Sequence, residues 1–552
     1  LVQRDHNLVS YKLDYVAETF INDSIIEIND NTIKIKGDIS LNVGNYMSIN
    51  YINNKGDEVK YLDGKKIKIL DKKNGMLTLD HNFKNNEILQ TKATWQLAKD
   101  DVSPQDIFRL QKGSSKDRQT VAIYCIQDCA LCLHLINKLD IITNNIGMAN
   151  VCTVPLSYIF LRGQGVKIFS LVSKQCRLDN FLVPLIKYQK EEIKFKNPKY
   201  DYSIEDQVED NDGGYEGAIV LKPNPGIYLE SSVVVLDYAS LYPSSMISEN
   251  LSHDSIVLDS KYLGDSGAKE IKKLGYDFVD ITHDVYKWID PNILSKGKIK
   301  TGTKTCRFVQ FPDDYKGVIP RILQHLLNAR KSTRKKIKFK TVKTKDGNSF
   351  SGLLDKGDIL KVTLASGEII NIDKENVDSI EDSCNEFQKS VLDGLQLAYK
   401  ITANSLYGQI GARTSPIYLK DIAASTTATG RKLLYLAKDK IIEHMPGTEI
   451  VYGDTDSIFV NFNPKDDDGN KLVGKESLQK SIELGQQFEK VFRQYLKPPH
   501  NLEYEKTFWP FILLSKKRYV GNKYEFDVNK YKSTSMGIVL KRRDNAEIVK
   551  YI

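Results

Sequence analysis

Residues 233–247 read VVVLDYASLYPSSMI, and residues 451–460 read VYGDTDSIFV. Each stretch sets acid within, or at the end of, an apolar and β-prone run: Asp237 in the first, Asp454 and Asp456 in the second. Carboxylates spent beside buried strands, with Asp237 and Asp456 219 positions apart, predict a divalent-metal site. Mg²⁺ favours hard oxygen ligands and is usually held by one or two carboxylates plus phosphates. Two such ions about 3.5–4 Å apart can clamp the attacking and leaving oxygens of an in-line displacement. The expected chemistry is phosphoryl transfer. Asp454 and Asp456 are two residues apart, a spacing that sets both on one face of a strand. Any single aspartate here reads more simply as a turn or edge residue; the two whole segments together do not.

Outward from these segments, 552 residues with 41% apolar content are too many for one core and predict several domains. The net charge of +8 is modest for that length, so clustering carries more information than the total. Ten Lys/Arg and no acid lie between Arg321 and Lys345, and a second basic block runs from Lys506 to Arg543. Solvated helix faces usually explain such runs, but a pair flanking a metal site favours a polyanionic partner. Seven cysteines are scattered. Cys125, Cys129 and Cys132 fall at helical spacing in IYCIQDCALCLHL without a fourth ligand or CxxC turns, and read as reduced core cysteines. That usage excludes a disulfide-stapled secreted domain. No signal peptide is visible and no apolar run approaches the ~18–20 residues that span a bilayer, so no membrane is expected as a partner. The chain starts at Leu1 rather than Met and stops in mid-pattern at Ile552, which predicts truncation at both ends.

Along the chain, SYKLDYVAETFI predicts a short helix, and residues 24–95 alternate apolar and polar residues between turn signals, as a small β-rich insertion would. Residues 103–150 read as helical. The span 151–232 is mixed, with RGQGVKIFS as a loop and a polar, acidic stretch SIEDQVEDNDGG. Residues 233–320 carry the Asp237 segment and otherwise read as irregular. Ile319, Ile322, Leu323, Leu326 and Leu327 then mark an amphipathic helix from Val318. Residues 341–380 form a second β-rich insertion, followed by a helix from about Asn385 to Tyr407 that stops at Gly408. A hairpin over 449–462 and strands over 503–530 complete the pattern.

Four motifs occur in order. DYASLYPSS resembles motif A of the family B DNA polymerases, KITANSLYG motif B, YGDTDS motif C, and KKRYVG the primer-contact motif near the thumb. The resemblance covers nearly the whole chain. MANVCTVPLSYIFLRGQGVKIFSLV upstream and GIVLKRRDNAEIVK downstream resemble the enzymes of large nucleocytoplasmic DNA viruses and their delta-type cellular relatives.

The resemblance implies an α+β multidomain chain with a right-hand architecture: a palm with an antiparallel sheet, helical fingers and the start of a thumb. A remnant of an RNase H-like 3′–5′ exonuclease domain and the two insertions would be added to it. The implied division is 1–150 for the exonuclease remnant with its insertion at 24–95, 151–232 for linker and start of palm, and 233–317 for palm with motif A. Residues 318–412 would be fingers with the insertion at 341–380, 413–515 palm with motif C, and 516–552 the palm–thumb junction. It implies a DNA-templated DNA polymerase using two Mg²⁺ ions, dNTPs and primer–template DNA, with a sliding clamp or other processivity factor as a candidate partner. Such an enzyme works inside the cell, in the host nucleus or a cytoplasmic viral factory if viral.

It also implies roles for residues. Asp237, Asp456 and the carbonyl of Tyr238 would hold metal, with Asp454 nearer the primer end. Ser240 and Leu241 would cradle the triphosphate by their backbone amides, and Tyr242 would be the steric gate against a ribose 2′-hydroxyl. Lys400, Asn404 and Tyr407 lie on one helix face and, with Arg330 and Arg334, would surround the dNTP. Lys516, Lys517, Arg518, Tyr519, Lys541, Arg542 and Arg543 would contact duplex DNA, and Tyr215 and Gly217 in GGYEGAIV match the linker before the polymerase domain, with Ala218 in place of its second glycine. Tyr124 and Asp128 match the third exonuclease motif; the other two have no counterpart upstream. The alternatives are an inactive relative that serves as a DNA-binding scaffold and an enzyme that uses ribonucleotides, which Tyr242 argues against.

Overall fold

The computed structural model describes residues 2–36 (7 and 9 apart), 41–52, 58–83 (74 apart), 93–98, 103–183, 213–290 and 297–538 (358 and 467 apart). The chain divides into two compact units, Leu1–Ile146 and Gly147–Ile552. Most of SIEDQVEDNDGG lies outside the described residues, as do Lys541, Arg542 and Arg543.

In the first unit, seven antiparallel strands run from Asn22–Asn29 to Ala93–Ala98, and Ala93–Ala98 also pairs with Tyr46–Ile52. The sheet therefore closes on itself, which leaves few unpaired edges. Alternate residues such as Ile33, Ile35, Ile67, Ile69, Leu77 and Leu79 fill its interior with Phe83 and Trp95. Helix Ser115–Lys138 begins at a capping box between Ser114 and Asp117. Its packed stripe is Val121, Leu131 and Leu135, with Tyr124 and Asp128 half-buried between them. Cys125, Cys129 and Cys132 each follow this stripe by one position, about 100° round the helix, and are exposed free thiols rather than core residues. This helix is also long and apolar enough to cross a bilayer by length and composition, contrary to expectation, a property shared with core helices.

The second unit is built on an eight-stranded antiparallel sheet. Strand Val233–Tyr238 lies in its middle, between Ser457–Asn461 and Leu502–Ser515. Its period of two separates two cores. Val234, Leu236 and Tyr238 pack with Leu434, Ala437 and Ile441 of helix Lys420–His444 and with Leu478, Ile482 and Phe488 of helix Gly474–Phe492. Val233 and Val235 face an aromatic layer of Phe459, Phe508, Phe511 and Tyr519. A strand buried on both faces has no reason to alternate in sequence, and VVVL does not.

Helices Val318–Ile337 and Glu386–Ile410 meet through Ile319, Ile322, Leu323 and Leu326 against Ala403, Leu406 and Ile410. Between them in sequence stands a five-stranded antiparallel sheet over residues 340–382, with its own small core of Val342, Leu360, Val362 and Ile372. The second helix runs past Gly408 to Ile410, so the expected stop is wrong. Gly411 caps it instead, because a Cβ there would run into the Tyr215 hydroxyl. Two other expectations fail. QGVKIFS is not a loop but the start of helix Gln164–Leu178, whose Ile168, Val172 and Cys176 form a buried i, i+4, i+8 stripe. The region before Val318 is not irregular: Asp277–Trp288 and Lys298–Gln310 form a long antiparallel ribbon.

Phe508 is fully buried, with ring centroids 5.1 Å from Phe511, 5.8 Å from Tyr519 and 6.3 Å from Phe459. Phe508→Ala is expected to lower unfolding free energy by about 3–5 kcal/mol, read as a fall in the urea midpoint; a loss below about 1 kcal/mol would show that this layer does not support the sheet.

Candidate active site

Asp237 ends the buried run of the central strand, opposite Ser457 on one neighbour and Glu503 on the other. By alternation it emerges on the same face as Val233 and Val235. Asp456 reaches it from a turn rather than from a strand. Asp454 is the last residue of Glu449–Asp454, Thr455 takes a left-handed φ of 59°, and the Asp456 amide donates back to the Asp454 carbonyl at 2.7 Å. The expectation that Asp454 and Asp456 share a strand face is thus corrected: Asp456 lies in the turn beyond the strand end. The Asp456 carbonyl then accepts from the Tyr238 amide at 2.8 Å, which fixes the turn against the end of the central strand.

The two outer partners of that turn differ. The Asp454 carboxylate accepts from Lys517 Nζ at 2.9 Å, Thr455 Oγ1 at 3.1 Å and the Tyr452 hydroxyl at 3.2 Å. Asp237 instead feels the charge of Asp456. Burial, then the Asp456 charge, then that of Glu505, push the Asp237 carboxyl up to about 8. Burial also raises Asp456, with Asp454 and Glu505 adding to the shift and Lys400 opposing it. Two half-buried acids whose charged forms are both disfavoured fit a divalent cation, which would supply the missing positive charge to an all-oxygen donor set.

Glu503 and Glu505 were not singled out from sequence. The register of Leu502–Ser515 against the central strand slips between Val235 and Leu236, so Glu505 is an extra residue beside the pair. Bulges re-aim side chains in this way. Lys506 Nζ lies 3.0 Å from Glu505. The readable signal was EYEK, charge set into an otherwise apolar strand.

Beyond the carboxylates, Ser240 takes a left-handed turn (φ 54°) and caps helix Leu241–Ser248, with Leu241 buried. Tyr242 follows, its ring 4.5 Å from that of Tyr407. Gly430 allows this position: a Cβ there would stand 3.1 Å from the Tyr242 ring. Burial, then the Asp456 charge, push the Tyr242 hydroxyl up to about 12. Tyr215 joins the pair, since it acts on both Tyr242 and Tyr407. Its segment is held by Arg431 Nη1, which donates to the carbonyls of Glu216 at 3.1 Å and Gly217 at 3.0 Å, and by Lys298 Nζ, 3.2 Å from the Tyr215 carbonyl. Arg431 and Gly430, like Lys298, carried no sequence signal.

Of the expected cations, Arg330 is half-buried and donates to Gln396 at 3.3 Å. Burial and its neighbour Arg334 lower it, while Glu503 opposes them. Arg334, Lys400 and Asn404 are exposed on the same helix pair. Lys516 and Lys517 make the turn between Leu502–Ser515 and Arg518–Tyr524; Lys516 and Arg518 are exposed. Tyr519 is mostly buried in the aromatic layer, though its hydroxyl feels Asp454 and Glu505. Tyr124 and Asp128 belong to the first unit.

Residues 154–366 and 367–552 match the family described as DNA polymerase family B. The chain is 52% identical, over its full length, to the DNA polymerase of Pyramimonas orientalis virus, of which it covers 42%. It is 37% identical over 90% of its length to that of Phaeocystis pouchetii virus, covering 45% of it. Against the DNA polymerase delta catalytic subunit of Dictyostelium discoideum it is 30% identical over 82% of its length, covering 32% of that protein. The chain thus spans less than half the length of these relatives. The matched residues include both carboxylate segments and every element that positions them, and the chain belongs to DNA polymerase family B.

Proposed function

We propose that this chain carries the polymerising centre of a DNA-templated DNA polymerase, acting in viral DNA replication. The observation that carries the reading is the half-buried Asp237–Asp456 pair, held by the Tyr238–Asp456 backbone bond, at a place where burial and the Asp456 charge raise Asp237 and burial raises Asp456. In this reading the eight-stranded sheet is the palm, helices Val318–Ile337 and Glu386–Ile410 are the fingers, and strands beyond Arg518 lead to the thumb. Primer–template DNA and dNTPs are the substrates, and a sliding clamp is a candidate partner. The division of the chain stated above from the resemblance belongs to the same proposal.

Asp237 and Asp456 would hold two Mg²⁺ ions with the Tyr238 carbonyl. When bound, they supply charge neutralisation for the primer 3′-hydroxyl, the α-phosphate and the leaving pyrophosphate. The chain's own residues do the positioning. Asp454, locked to Lys517, sets the primer end. The turn at Ser240 aims the first amides of helix Leu241–Ser248 at the triphosphate. Arg330, Arg334 and Lys400 supply opposing charge to the phosphates, with Asn404 beside the nascent pair. Tyr242, backed by Tyr407, occupies the space a 2′-hydroxyl would need. Lys516, Arg518 and the segment containing Lys541, Arg542 and Arg543 would hold phosphates of the duplex without reading sequence. Tyr124 and Asp128 are one motif of a proofreading site whose other acids this sequence does not contain.

Asp456→Asn is expected to keep the fold by circular dichroism and to lower nucleotide incorporation by roughly 10³-fold or more; retained incorporation would make the chain's centre something other than a polymerase. Tyr242→Ala should raise ribonucleotide use relative to deoxynucleotide by roughly tenfold or more, and unchanged selectivity would remove the gate from Tyr242.

The acid pair also sets a pH dependence. Because the folded Asp237 carboxyl sits at about 8, far above its ordinary 3.8, its contribution to stability is greatest below about pH 4 and is lost as pH rises towards 8. In metal-free protein, Asp237→Asn should therefore raise the melting temperature at pH 8–9 and leave it nearly unchanged at pH 4. Mg²⁺ should stabilise the parent more than the variant. Equal melting curves at both pH values would contradict the burial of an unpaired charge at Asp237.

A further inference from the structure

A second group of ligating side chains lies outside the carboxylate centre. His283 and Cys306 are diagonal neighbours across the ribbon Asp277–Trp288/Lys298–Gln310, because Ile281 pairs with Cys306 and His283 with Lys304. Asp421 comes to them from the first turn of helix Lys420–His444. All three are buried, and one donor atom from each lies within 4.8 Å of the others. His283 Nε2 lies 3.6 Å from Cys306 Sγ and 4.0 Å from Asp421 Oδ1. A tetrahedral zinc ion with bonds of about 2.0–2.3 Å separates its ligands by roughly 3.3–3.7 Å, so the sulfur–imidazole edge already has the right length.

Two further observations point to a cation. His283 Nδ1 lies 3.3 Å from the Asp284 carbonyl, the partner that turns Nε2 into the lone-pair side of the ring. Ser425 lies one turn after Asp421 on the same helix; it is fully buried, its Oγ makes no hydrogen bond of good geometry among the described residues, and it lies close to the Cys306 thiol. A buried hydroxyl so poorly satisfied beside a thiol, an imidazole and a carboxylate leaves room for a ligand. Lys304 now fills the charge requirement: its ammonium lies 2.8 and 2.9 Å from the two Asp421 oxygens, but its side chain is 50% exposed and free to swing out.

We propose that His283, Cys306 and Asp421 form a structural site for zinc, with a fourth position beside Ser425, that staples the ribbon to helix Lys420–His444. Binding forms bonds from the metal to Nε2, Sγ and a carboxylate oxygen. The Cys306 thiol proton leaves to solvent and the Lys304 ammonium is displaced to the surface. Oxygen-only Mg²⁺ is excluded by the donor set, whereas zinc takes sulfur, nitrogen and carboxylate together. The site is separate in sequence and composition from the Asp237–Asp456 pair, so it stands or falls independently of the polymerase reading.

The test uses the full chain with Cys125, Cys129 and Cys132 replaced by Ser, which removes the exposed thiols, and Co²⁺ as a spectroscopic substitute for zinc. A thiolate-to-cobalt charge-transfer band should grow to saturation at one equivalent, be bleached by zinc, and raise the melting temperature. Cys306→Ser should abolish the band. Lys304→Met, which leaves all ligands in place, should tighten cobalt binding up to roughly fivefold by removing the competing ammonium. Absence of the band in the parent, its survival in a folded Cys306→Ser chain, or unchanged affinity in Lys304→Met would each overturn the proposal. If Cys306→Ser does not fold, the parent band and the Lys304→Met affinity still decide it.

Discussion

The structure depends on placing two like charges together with little access to water. Asp237 and Asp456 are both half-buried, and burial and the Asp456 charge make the ionised form of Asp237 less favourable. No protein cation forms an ion pair with either among the described residues. Lys517 is engaged by Asp454 and Lys506 by Glu505, while Lys400 acts only at a distance. Left alone, such a pair weakens the fold. It persists because the surrounding sheet determines its position on every side. The central strand is bonded to both neighbours, and the hairpin turn is bonded to the strand end through Tyr238. Destabilisation stored at a site that a rigid frame holds in place is a usual property of functional centres.

The frame explains several features that look unrelated along the chain. The aromatic layer of Phe459, Phe508, Phe511 and Tyr519 lies on the face from which Asp237 emerges, so the carboxylate rests on a densely packed part of the sheet. Helix Lys420–His444 serves three tasks in its first half. Asp421 meets the ribbon, Gly430 receives the Tyr242 ring, and Arg431 grips the backbone at residues 216–217. The glycine at 411 completes this arrangement, since it lets the Tyr215 hydroxyl approach the end of the preceding helix. Local sequence therefore serves a contact made between segments about 200 residues apart.

Much of this was legible in the sequence where periodicity or a dense motif carried the information. The amphipathic helix from Val318, the hairpin around residue 455 and the strand that carries Asp237 were all readable. What was not legible depended on tertiary contact or on single-residue phase. The packed stripe of helix Ser115–Lys138 differs from the cysteine positions by one residue, which is enough to expose the thiols. Asp454 and Asp456 share a spacing of two, but a left-handed Thr455 breaks the strand between them. Glu505 reaches the site through a bulge, and no sequence pattern announces a register slip. Tyr215 meets Tyr407 and Tyr242 only in the folded chain.

The central claim is that the Asp237–Asp456 pair is a divalent-metal centre whose acids are held partly protonated until a cation arrives. Manganese titrated into metal-free protein near pH 7, followed by electron paramagnetic resonance while a weakly buffered indicator counts released protons, tests it most directly. The expected result is bound manganese accompanied by proton release, with both signals lost when Asp237 and Asp456 are changed together to Asn. Manganese bound without proton release, or bound equally by the doubly substituted chain, would contradict the account.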